Sequence, residues 1–174
     1  MPHPIDMVVD TGDKGDLWMD AIEAEKRGDR EESLRVCREL LVGEPDNSDA
    51  WMMIARMELP VPTKGKQEMP SLVQTAKSVT ALKKVVQLDP ENRRAWDLGG
   101  TLLVDHLGMM EDALMWWEER RGHAPTEVTP IIEQVSILVR MGYYEECADL
   151  IEEMFSSEME SVDGGLRMRM GRVS

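Results

Sequence analysis

The sequence predicts an all-α protein built as a solenoid of antiparallel helix pairs, and three observations carry that expectation. Apolar residues recur at spacings of three and four, and no stretch shows the β-branched alternation of a strand. Proline turns return along the chain, each six residues ahead of an apolar anchor: Pro45 before Trp51, Pro90 before Trp96 and Pro125 before Ile131. The interval from Pro90 to Pro125 is 35 residues, close to the roughly 34 of a helix-turn-helix repeat, whereas Pro45 to Pro90 is 45 and calls for an insertion.

The elements follow in order. Leu17, Ala21 and Ala24 share one face of a first helix, which breaks at Gly28-Asp29. Leu34, Cys37, Leu40 and Leu41 form the face of the second, stopped ahead of Pro45 because proline has no N–H to donate. After the helix of Trp51, residues 59–70 contain Pro60, Pro62, Pro70 and Gly65, which forbid a continuous helix and predict a loop. A helix from Ser71 to Leu88 then exceeds the ordinary repeat length. The Trp96 helix and one carrying Ala113 come next, with Met109-Met110 at a turn beside Gly108. Ile131, Val135 and Leu138 line the following helix, Gly142-Tyr143-Tyr144 turns the chain, and Cys147, Ala148, Ile151, Met154 and Phe155 line the last. Four units result, about 14–47, 48–91, 92–127 and 128–161, in one helical domain over 14–161. Residues 1–13 are irregular, and 162–174 read as a flexible tail opening at Gly164-Gly165.

Composition narrows the function. With 174 residues the chain can bury a core without disulfide or metal staples. No apolar run approaches the roughly 20 residues of a membrane-spanning helix, so no membrane partner is expected. A net charge of −14 would repel a phosphate backbone, so no nucleic acid is expected either. Cys37 and Cys147 lack metal-ligand spacing and no signal-peptide apolar core is visible, which reads as a cytoplasmic protein with reduced thiols. Catalysis finds no support. Asp105 and His106 are helix neighbours that point about 100° apart, and His3, His106 and His123 do not reach the spacing of a helical metal site. Paired acids such as Glu118-Glu119 and Glu152-Glu153 read as solvated helix faces. No enzyme, metal or cofactor is expected.

Taken together, these residues resemble the tetratricopeptide repeat family. Trp51 with Ala55 and Trp96 with Gly100 match its anchor and small positions; Gly28-Asp29 and Gly142-Tyr143-Tyr144 match its turn. Ala113 matches its second-helix alanine, and Pro45, Pro90 and Pro125 its closing proline. Leu17 stands at the first anchor, Ser33 and Cys147 at the alanine, and Met159 at the fourth proline. The resemblance implies a right-handed superhelix whose first helices line a concave groove, and a protein-protein interaction module taking a helical or extended peptide there. Its register puts Trp18, Ile22, Met52, Arg56, Asp97, Thr101, Ile132 and Ser136 on that surface. The family's carboxylate clamp uses Lys, Asn and Arg where this chain has Trp18, Ile22, Met53, Arg94 and Leu98, so a terminal carboxylate is not the expected ligand.

An alternative is a self-associating structural subunit. The last helix carries Leu150, Ile151, Met154 and Phe155 with no solvating helix after it, which makes a second copy, as in a homodimer, the expected cover. Charge is also segregated: residues 59–88 hold Lys64, Lys66, Lys77, Lys83 and Lys84 against Glu68 alone, and 164–174 hold Arg167, Arg169 and Arg172 without an acid. Methionine is used 15 times against one Phe and two Tyr, chiefly as adaptable core filling; Met52-Met53 and Met109-Met110 should each expose one member.

Overall fold

A computed structural model describes residues 16–61 and 65–156. The irregular segment 1–13, part of the insertion and the tail 162–174 lie outside the described residues. Among those described there are eight helices: α1 (16–26), α2 (Arg30–Gly43), α3 (Ser48–Glu58), α4 (Leu72–Leu88), α5 (Arg93–Thr101), α6 (Met110–His123), α7 (Thr129–Met141) and α8 (144–156). The chain forms two compact units that part between Gly108 and Met109.

In the first unit, Ala21 and Ala24 of α1 are fully buried. The helix ends at Gly28, whose φ of 75° is the left-handed value an L side chain resists, and Asp29 N–H donates back to the Ala24 carbonyl at 2.9 Å. Asp29 then caps α2 by accepting from Glu32 N–H at 3.2 Å. Leu34, Val36, Cys37 and Leu40 bury the inner face of α2, and Leu41 is left half-buried. Ser33, at the alanine position of the repeat, is buried at no cost in unpaired polarity, since its hydroxyl lies 3.4 Å from the Ala21 carbonyl and 3.2 Å from Met53 Sδ. Ser78 of α4 likewise donates to the Ala55 carbonyl at 2.7 Å.

At the two proline turns that lead to a tryptophan, a hydrogen bond spans the six residues. Trp51 Nε1–H donates to the Pro45 carbonyl at 2.9 Å, and Trp96 Nε1–H to the Pro90 carbonyl at 2.8 Å. Asn47 and Asn92 cap the helices that follow, accepting from Ala50 and Ala95 N–H, each at 3.1 Å. The two anchors differ in depth: Trp96 is 1% exposed, but Trp51, expected at the same depth, is only half-buried.

Helix α3 stops at Glu58, ahead of Pro60, and α2 receives its end. Arg30 donates from Nε to the Met57 carbonyl at 2.7 Å and from a terminal nitrogen to the Glu58 carbonyl at 3.0 Å, a cation on a helix C-terminus. No helix forms among the described residues of 59–70. Ser71 and Gln74 then close a capping box that starts α4. After α5 the backbone widens into one π-turn, Leu102–His106, closed by Leu107 N–H on the Leu102 carbonyl at 3.0 Å. A π-turn takes up one additional residue without a loop, which accounts for a third repeat of 35 rather than about 34.

The second unit packs α6 against α7. Ala113, Trp116 and Trp117 are buried, and Arg120, 2% exposed, is held by Glu127 through two bonds of 3.0 and 2.6 Å. Gln134, buried in α7, donates to Glu118 at 2.8 Å and so ties the two helices. Gly142, at φ 80°, ends α7. In α8 Cys147 is buried, whereas Ala148, expected on the same inner face, is exposed.

Candidate binding surfaces

The residues assigned to the groove all lie outside the core. In the first unit Trp18, Ile22 and Met52 are half-buried, while Arg56, Asp97 and Thr101 are exposed. Each helix contributes an i, i+4 pair, so both members point the same way. The pairs on α1 and α3 share a face, because Glu25, three residues beyond Ile22, receives Arg56 in a two-pronged ion pair at 3.1 and 3.1 Å. Arg56 is therefore engaged from within, and what α1 and α3 leave accessible beside it is an indole, an isoleucine and a methionine. Met53, next to Met52, is 2% exposed and belongs to the core. In the second unit Ile132 of α7 is 57% exposed and Ser136 is exposed four residues on.

Two further surfaces stand out. The first is a shallow, open cleft of about 430 Å³ in the first unit, bordered by α2, α3 and α4. Ile54, Ala81 and the half-buried ring of Trp51 form its floor, and Val73, Ala76 and Lys77 form one wall. Glu58, buried at its edge, is neutralised by Arg38 at 2.8 Å. Sequence reasoning marked the basic character of 59–88 but not this cleft, whose lining residues come from three different helices.

The second is on α8. Leu150, Ile151 and Met154, expected for self-association, are half-buried, and Phe155 is exposed. The most exposed apolar row is a different one, Tyr144, Ala148, Ile151 and Phe155, which repeats at the spacing of a single helix stripe. Tyr144 is 68% exposed and Phe155 57%. Tyr144 was legible only as part of a turn, so the row was not visible until the start of α8 was fixed.

No group of three or more His, Cys, Asp or Glu side chains is placed to hold a metal among the described residues. Cys37, fully buried, has its thiol pushed up to about 11 by burial and by the charge of Glu25, which keeps it protonated and unreactive. His106 falls in the π-turn. Met109 is exposed and Met110 half-buried.

The fold is that of tetratricopeptide repeat proteins. The chain is similar to a MamA protein, with a TM-score of 0.57 at 13% identity over 82% of this chain and 72% of that one. A second MamA structure gives 0.53 at 14% identity over 78% and 72%. The first tetratricopeptide domain of Spaghetti, solved with the HSP90 peptide SRMEEVD bound, gives 0.50 at 16% identity over 74% of this chain and 95% of that one. No family model and no curated protein sequence matches the chain.

Proposed function

We propose that the chain is a non-enzymatic protein-interaction module, an adaptor or scaffold, whose first helices bind a helical or extended peptide of another protein. The observation that carries this reading is the face shared by α1 and α3, where Trp18, Ile22 and Met52 stay accessible beside the Glu25–Arg56 pair. An indole, an isoleucine and a flexible methionine, rimmed by a satisfied ion pair, suit apolar anchors from a peptide better than a charged one. Asp97 and Thr101 on α5 extend the reading within the first unit, and Ile132 and Ser136 on α7 are the residues proposed for the second unit by itself.

The Spaghetti domain holds an HSP90 peptide rich in carboxylates. Such a ligand is not proposed here. Where the resemblance would place the family's carboxylate clamp, this chain has Trp18, Ile22, buried Met53, Arg94 and Leu98, and the nearby Arg56 is already paired with Glu25. A net charge of −14 argues against nucleic acid. No described helix is long and apolar enough to cross a membrane, and no membrane partner is proposed. Neither a cofactor nor a metal is part of the reading, and the cytoplasm is the proposed compartment.

The test is affinity capture from native extract with wild type and with Trp18→Ala/Ile22→Ala, followed by mass spectrometry. A specific partner should be retained by wild type and lost by the variant, with helicity by circular dichroism unchanged. Loss of helicity would make Trp18 and Ile22 core residues and end the assignment.

A further inference from the structure

We propose that the chain associates with itself through two unlike surfaces, α8 of one copy lying in the cleft beside α4 of another. This contact is independent of the α1/α3 face. Three observations meet in it.

The first is the exposed row on α8. Tyr144, Ala148, Ile151 and Phe155 stand at i, i+4, i+7 and i+11, the anchor pattern of a helix that docks in a groove. Two large aromatic side chains at its ends, 68% and 57% exposed, are an unusual load for a solvated helix. The second is the cleft, which offers an apolar receptor of matching character. Trp51 has its only donor tied to Pro45, so its remaining face is purely a stacking and van der Waals surface. Val73, 64% exposed, and Ala76 continue that surface along α4.

The third observation is charge register. On α4, Lys77 and Lys84 lie seven residues apart on the face that carries Val73. On α8, Glu145 and Glu152 lie seven residues apart along one flank of the apolar row. Seven residues are two helical turns, about 10 Å, so both pairs have the same spacing along their axes. Among the described residues none of these four makes an ion pair. Exposed lysines without an ion pair are complementary to an outside carboxylate, and the chain's own last helix supplies carboxylates at the same interval. A second copy is thus favoured over a different protein, because one sequence carries both halves of the match.

Each copy has one donor helix and one receptor cleft, so the contact is heterologous and either closes reciprocally or continues from copy to copy. One anchor helix in one cleft is a small interface, and an affinity on the order of micromolar is expected. Sedimentation velocity of the full chain tests the proposal. Wild type should associate at high micromolar concentration, less so at high salt. Lys77→Glu/Lys84→Glu, which spoils the cleft, and Tyr144→Ser/Phe155→Ser, which spoils the helix, should each weaken association by about thirtyfold or more. Mixing the two variants should restore a one-to-one complex, since each retains the half the other lacks. Adding Glu145→Lys/Glu152→Lys to the first variant should also restore association. A monomeric wild type, or a mixture that stays monomeric, overturns the proposal; so does loss of association in the helix variant alone, which would point to α8 pairing with itself. None of these outcomes touches the α1/α3 face, and partner capture by Trp18 and Ile22 would stand or fall separately.

Discussion

Trp51 and Trp96 form a matched pair that separates burial from hydrogen bonding. Both donate an indole N–H to the proline six residues earlier, at 2.9 and 2.8 Å. They differ in depth, since Trp96 is buried and Trp51 half-buried. Removing either side chain loses the same hydrogen bond, about 1 kcal/mol net. Trp96→Ala adds the full transfer and cavity cost and should total about 3 to 5 kcal/mol. For Trp51→Ala, whose ring is only partly buried, a smaller loss than for Trp96→Ala is expected. In a chain of this length each kcal/mol shifts the melting temperature by about 2 to 4 °C, so Trp96→Ala should lower it by at least about 6 °C. Thermal and urea denaturation followed by circular dichroism read both values. A Trp96→Ala protein melting within a degree or two of wild type, or a Trp51→Ala protein losing as much as Trp96→Ala, would refute the packing of the second and third repeats.

Other outcomes follow from the same contacts. Glu127→Ala strips a two-pronged carboxylate from the buried guanidinium of Arg120 and should cost about 3 to 5 kcal/mol in urea denaturation, because a charge is left in the interior with its main counterion gone. A loss under about 1 kcal/mol would mean that solvent reaches Arg120. Cys37 carries a thiol raised from about 9 to about 11 by burial, then by Glu25. Its stabilising effect is complete below the lower value, where both states hold the proton, and is lost as pH rises to the upper one, because the unfolded chain ionises first. Cys37→Ser should flatten the fall in stability between pH 9 and 11, and native protein should resist thiol reagents that label it fully in denaturant.

Much of this architecture is written locally, and those parts were legible. The Asn caps, the proline ahead of each Trp and the glycines at φ 75° and 80° act within a few residues, so spacing alone reveals them. What the sequence concealed depends on partners distant in the chain. Arg30 is an ordinary surface arginine until it meets the end of α3, 27 and 28 residues away. Arg56 reads as a groove cation until Glu25 neutralises it. The one-residue surplus of the third repeat was visible as an interval, but spacing cannot distinguish a longer loop from a π-turn. The apolar row on α8 was half seen: Ile151 and Phe155 were identified, but helix phase replaces Leu150 and Met154 with Tyr144 and Ala148 as the exposed companions.

The central claim is that the face shared by α1 and α3 is where another protein binds. Amide hydrogen exchange of the chain, alone and saturated with a partner captured by it, addresses that claim most directly. Protection should appear in residues 16–26 and Ser48–Glu58, and should vanish when the same partner is added to Trp18→Ala/Ile22→Ala. Protection confined to α4 and α8, with α1 and α3 exchanging as in the free chain, would contradict it.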